Sequence, residues 1–166
     1  MSTSAAADQD RTRTNTSTAG RVLLTAALVA TPAALAIFLF NADHAFNSQW
    51  HPHARFHGVQ LAGFGITMSL LGLWLLWRRS AQPWVNAATG AATVLLLWIA
   101  EFYAFAVPGT GPAPDPDEPN TIDLLGATIY GNLLFAGLMV GLAAIGYGLI
   151  LRRGRLADGS AGGRTR

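Results

Sequence analysis

The chain has 166 residues, the size of a single domain, and is 51% hydrophobic but only 12% charged, about half of the roughly 25% usual for a soluble domain. That balance argues against a soluble enzyme, and the absence of cysteine and lysine excludes disulfides, thiolate nucleophiles, zinc–thiolate sites and Schiff-base chemistry. The net charge of +2 is carried by arginines at the edges of apolar runs, with no basic patch interleaved with aromatics, so no nucleic-acid partner is expected.

Residues 1–20 are rich in Ser, Thr, Ala and Asp without hydrophobic periodicity and are expected to form a disordered tail. The first apolar run, Val22 to Phe40, is preceded by arginines, and Ala34-Leu35-Ala36 resembles a signal-peptide cleavage site. The run nevertheless continues through Ile37 to Phe40, so a retained helix is expected. Asn41 to Arg55 follows as a loop carrying His44, His51 and His53. Val59 to Trp77 is the second run, entered from near His53, and Arg78 to Pro83 is a short turn. Val85 to Val107 is the third run. Pro108 to Thr121 is dense in proline and carries Asp115, Asp117 and Glu118, which reads as a stiff, solvated loop without calcium-loop spacing. Leu124 to Leu151 is the fourth run, and residues 154–166 are a Gly/Arg-rich tail.

A helix of ~20 residues crosses ~30 Å of hydrocarbon, so each run is long enough to span. Strand-like alternation is absent, which leaves an all-α protein: a bundle of four transmembrane helices over residues 21–153. Arg11, Arg13, Arg21, Arg78, Arg79, Arg152, Arg153, Arg155, Arg164 and Arg166 flank the runs on one side, and Arg55 alone lies on the other. The positive-inside rule then puts both termini in the cytoplasm. An all-arginine, Ala- and Gly-rich composition suggests a multi-pass protein of a bacterial plasma membrane. Small residues recur at four-residue spacing, in Ala26, Ala30 and Ala34, in Ala87 with Ala91 and Ala88 with Ala92, and in Gly137 with Gly141. Such stripes let helices approach closely, either within the bundle or against a second copy or larger membrane partner.

Ionisable residues inside the apolar runs are costly and therefore mark candidate sites. Glu101, in LLLWIAEFYAFAV, lies seven residues before Pro108, ~10 Å below the external end of the third helix. His53 and His57 are four apart, which stacks both rings on one helical face, with Gln60 continuing it. On the fourth helix Asp123 is expected at the mouth, with Tyr130 and Asn132 farther in. His53, His57, Gln60, Glu101, Tyr103, Asp123 and Asn132 are therefore expected around one space in the external third. Trp50, Arg55 and His51 also suit a headgroup collar.

The string NSQWHPHARFHGVQ, with Asn47, Trp50, Pro52, His53, Arg55, Phe56 and His57, resembles the signature of a family of small four-helix membrane proteins of bacteria and fungi, mostly uncharacterised. That resemblance implies the four-helix layout and carries no activity. The layout is also similar to the sterol-isomerase-like four-helix fold, whose members use intramembrane acidic and histidine side chains on hydrophobic substrates.

Three functions fit these residues. In the leading one, an isomerase- or cyclase-like protein acts by acid–base chemistry on a small hydrophobic molecule, or binds it, without a cofactor or metal. Glu101, His57, His53, Asp123 and Asn132 would be catalytic. Arg55, Gln60, Trp50, Trp98, Phe102, Tyr103 and Tyr130 would bind, with Phe56, Phe64 and Phe105 as further apolar lining. The second is a non-catalytic accessory subunit. The third is a metal site on His53 and His57, completed by Glu101, His44 or His51.

Overall fold

In the computed structural model, residues 17–112 and 121–162 are described. Four helices, α1 (Thr18–Leu39), α2 (Pro52–Trp77), α3 (Pro83–Ala104) and α4 (Gly131–Gly162), are joined by one hairpin, β1 (Thr121–Leu124) with β2 (Ala127–Tyr130). All four helices are long and apolar enough to cross a bilayer, α4 over Gly131–Gly154. The architecture is thus an all-α bundle with a small two-stranded appendage.

The helix starts are written locally. Ser17 Oγ accepts from the Gly20 N–H and caps α1, so this helix begins inside the expected N-terminal tail. Pro52 and Pro83 occupy the first turns of α2 and α3, where a missing N–H costs nothing. At the other end of the chain α4 runs on to Gly162, beyond Arg153, where a tail was expected. Residues 1–16 and 163–166 of the tails, and Asp115, Asp117 and Glu118 of the proline-rich loop, lie outside the described residues.

The helices form a ring in chain order, each packed on its two neighbours, with α1 and α3 also meeting across the diagonal. In α2 the buried residues Ala62, Gly65, Ser69, Gly72 and Leu76 alternate at spacings of three and four, a seam built largely from small side chains. Across from it Leu24, Ala27, Leu28, Ala87, Ala91, Val94, Ala136, Met139 and Ala143 fill the core. Large apolar side chains such as Ile37, Leu96 and Leu138 face outward. That inversion suits lipid as the surrounding medium.

Backbones come closest at two glycine pairs. A methyl group on Gly20 would lie 2.5 Å from the Gly146 carbonyl oxygen, and one on Gly72 would lie 3.2 Å from Gly90 Cα. The Ala87 and Ala91 pair is buried as expected, but Ala26 and Ala92 face outward and Gly141 has open space around it. The closest approaches therefore fall on glycines other than Gly137 and Gly141.

One diagonal bond ties the core. The buried Trp98 indole N–H donates to Thr31 Oγ1 at 2.9 Å, linking α3 to α1, while that hydroxyl donates to Ala27 O at 2.8 Å. At the end bearing both termini, Arg21 donates to Leu76 O at 2.9 Å and stacks 4.2 Å over Trp77, whose indole donates to Thr25. Asn86 Nδ2 donates to Leu75 O at 3.0 Å.

Two expectations fail at the opposite end. The fourth helix begins at Gly131, not Leu124: residues 121–130 pair antiparallel, with Leu124 opposite Ala127 and Leu125 and Gly126 turning at φ 52° and 83°. Two successive positive φ values give the twist that a two-residue hairpin needs. The third helix also ends at Ala104, and Phe105 to Thr110 form successive turns closed by bonds such as Val107 N–H to Ala104 O. Glu101 consequently lies only ~4.5 Å from its helix end, about half the expected depth.

Candidate functional site

Glu101 is half-buried and faces α4, where Asn132, in that helix's first turn, donates from Nδ2 to Glu101 Oε2 at 3.3 Å. Because the hairpin takes up residues 121–130, Asn132 comes at the very start of α4, level with the end of α3. The hairpin thus brings these two side chains to one depth.

His44, from the loop between α1 and α2, is within electrostatic range of Glu101 but makes no hydrogen bond to it. That loop is shaped by Asn41. Asn41 Nδ2 donates to Ile37 O and Phe38 O and so closes the end of α1, while Oδ1 accepts from the backbone N–H groups of Asp43 and His44. The same oxygen lies 3.1 Å from His44 Nδ1. A carboxamide oxygen only accepts, so Nδ1 carries the proton and Nε2 keeps its lone pair. Trp50 meets His44 edge to face, with ring centroids 5.4 Å apart. Two polar groups thus lie at this end, Glu101 with Asn132, and His44 with Asn41 and Trp50.

His53 and His57 form a separate group on the outward face of α2. Their Nε2 atoms are 3.0 Å apart, and His57 Nδ1 lies 3.2 Å from Gln60 Oε1. All three side chains are exposed, because the buried seam of α2 passes through Ala62 and Gly65 on the opposite side. The helical stacking of the two histidines is as expected, but their meeting with Glu101 is not: facing direction, which spacing within one helix leaves open, sends them outward. Among the described residues no three His, Asp or Glu side chains gather as a metal-binding group, so the expected completion of a metal shell by Glu101, His44 or His51 does not occur.

The remaining candidates disperse. Asp123 is exposed on β1 and accepts from Thr128 Oγ1 at 2.9 Å, which makes it a hairpin residue and not a lining of the bundle mouth. Tyr130 ends β2 and packs on Phe105 at 6.1 Å, so it too leaves the helix on which it was expected. Trp98 is 5% exposed, and its N–H donates to Thr31 in the core. Tyr103 is exposed, as are Phe102, Phe56, Phe64 and Phe105. His51 caps α2 by accepting from the His53 N–H, and Arg55 is half-buried, its Nε without a hydrogen-bond partner.

His44 is the member that sequence reasoning left out of the leading site. The signal that points to it is local: Asn41 and His44 three apart just past a helix end form a capping turn that folds the loop back over the bundle.

Comparison with curated proteins and with solved structures finds no match. A family of unknown function, DUF6640, matches residues 22–162, from within α1 to the end of α4. The hairpin and these polar groups lie inside that match, and the chain belongs to this family of unknown function.

Proposed function

We propose that this is a plasma-membrane protein, with both termini in the cytoplasm, that binds a small hydrophobic molecule with a polar head at its external end. The molecule is turned over there by acid–base chemistry of the isomerase or cyclase kind. The observation that carries this reading is the bond between Glu101 and Asn132, because it joins two helices at a level where His44 also reaches the carboxylate's field. A carboxyl group and an imidazole with a free Nε2 at the same end of the bundle supply a proton donor and a proton acceptor, which proton relocation along an apolar skeleton requires. Asn132 is a positioning residue that fixes the carboxyl rotamer. Trp50 beside His44 and the exposed Phe102 and Tyr103 offer apolar and aromatic surface near the same end. Asp123, His53 and His57 have no part in this chemistry.

The test is the molecule that accompanies the full-length protein through purification. Mass spectrometry of organic extracts is expected to find a hydrophobic species with wild type that is lost from His44→Ala at unchanged helicity and is retained but not converted by Glu101→Gln. Glutamine keeps the shape and the bond to Asn132 but cannot transfer a proton, so a Glu101→Gln protein that retains the molecule but not its conversion supports the acid–base role. Equal retention and conversion in both variants would overturn the proposal.

A second reading, a subunit of a larger membrane assembly, is favoured by Gly141 and Gly148 on α4, each with open space where a side chain would be. A stable heteromeric complex surviving mild detergent would support it over the first.

A further inference from the structure

We propose that His53 and His57 form a two-histidine site for a divalent transition-metal ion of the copper(II) or nickel(II) kind, independent of Glu101 and His44.

Geometry carries the assignment. The two Nε2 atoms are 3.0 Å apart, with the rings at 81° to one another. An ion bound by both nitrogens at ~2.0–2.1 Å would see them at an angle of roughly 91–97°, whereas a tetrahedral angle needs the nitrogens ~3.3 Å apart. A right angle between cis ligands belongs to square-planar or octahedral coordination, the geometry in which copper(II) and nickel(II) take imidazole ligands. The i,i+4 spacing on a rigid helix supplies both ligands without reordering the backbone.

The protonation pattern agrees. Gln60 Oε1 accepts, so His57 Nδ1 carries its proton and Nε2 presents a lone pair. Such an outer hydrogen bond orients a metal-binding imidazole. Without metal, His53 Nε2–H donates to His57. On binding, that proton moves to His53 Nδ1 or leaves, and both Nε2 lone pairs face the ion.

Position supplies the other ligands. Helix α2 has 26 residues, ~39 Å of rise, against ~30 Å of hydrocarbon. Arg78, stacked over Trp74, follows its C-terminal end directly and holds that end at the interface. The excess of ~9 Å therefore falls at Pro52 to His57, in the headgroup layer, where water is present to fill the open coordination positions.

The experiment titrates copper(II) alone into the full-length protein in detergent, with calorimetry for stoichiometry and electron paramagnetic resonance for the ligand nitrogens. One ion per chain with hyperfine structure from two imidazole nitrogens is expected. His53→Ala and His57→Ala, both at exposed positions, should each fall to the level of the double variant at unchanged helicity. His44→Ala should bind as wild type, and Gln60→Leu should weaken binding by about 10–100-fold. Copper binding that survives in the double variant, or a single-nitrogen signal in wild type, overturns the site. Failure here leaves the Glu101 reading intact, because that reading is decided by retention and conversion of an organic molecule without added metal.

Discussion

Asn132 Nδ2 donates to Glu101 Oε2 at 3.3 Å and is the hydrogen-bond partner that holds this carboxyl between α3 and α4. Replacing Asn132 by Leu keeps the volume and removes the donor, leaving a half-buried carboxyl unsatisfied. The expected cost is about 1–3 kcal/mol, read from thermal unfolding in detergent. The same change in a Glu101→Leu background is expected to cost much less, because no acceptor remains to be orphaned. Equal costs in the two backgrounds would show that the two side chains are not coupled.

The second polar tie lies in the core. Thr31 Oγ1 accepts from Trp98 and donates to Ala27 O, and both Thr31 and Trp98 are buried. Thr31→Val is nearly isosteric but orphans the indole N–H, at an expected cost of about 1–3 kcal/mol. Thr31→Ser keeps the hydroxyl and is expected to retain most of the stability. A serine variant as unstable as the valine one would put the effect on packing of the methyl group instead.

Glycines divide into those that touch and those that do not. Gly20→Ala drives a methyl to 2.5 Å from the Gly146 carbonyl oxygen, a backbone atom that cannot rotate away, and to 2.9 Å from Ile150. Overpacking of this kind is expected to destabilise by about 1–3 kcal/mol. Gly141→Ala meets nothing within 4 Å and is expected to be neutral or to stabilise by up to about 1 kcal/mol through helix propensity. Melting temperatures of the two variants should shift in opposite directions or differ by several degrees, and matched losses would contradict the packing described above.

The four helices were legible because runs such as Val59 to Trp77 leave no other way to satisfy a lipid-exposed backbone. The hairpin was not. TIDLLGATIY straddles the expected loop, which ends at Thr121, and the apolar run that starts at Leu124, although Thr121, Ile122, Thr128 and Ile129 are β-branched and Leu125-Gly126 is a two-residue turn without the usual Asn or Asp. The hairpin puts Asp123 and Tyr130 on strands and Asn132 at the start of a helix, where all three were expected along the external third of the fourth helix. The depth of Glu101 was overestimated for the related reason that Phe105, Ala106 and Val107 are apolar yet sit in turns. The i,i+4 stacking of His53 on His57 was legible from spacing alone, but the side of α2 on which they lie depends on where its neighbours pack. The seam of Ala62, Gly65, Ser69 and Gly72 was the available clue: small residues at spacings of three and four mark the buried face, and the histidines fall opposite it.

Orientation in the membrane is decided by labelling, and the chain is suited to it because it has no cysteine of its own. Ser48 lies in the loop that carries His44, and Ala81 in the short α2–α3 turn; both are exposed, so a cysteine at either site is reachable without disturbing a core. The arginines at 78 and 79 flank Ala81, while the Ser48 loop has none before Arg55. If the positive charges hold their side in the cytoplasm, Ser48→Cys in intact cells reacts with a membrane-impermeant maleimide and Ala81→Cys reacts only after the cells are opened. The reverse pattern would turn Glu101, His44 and the histidine pair to the cytoplasm. It would then confront the copper site with a reducing compartment in place of an oxidising one, and would change which pool of small molecules reaches His44.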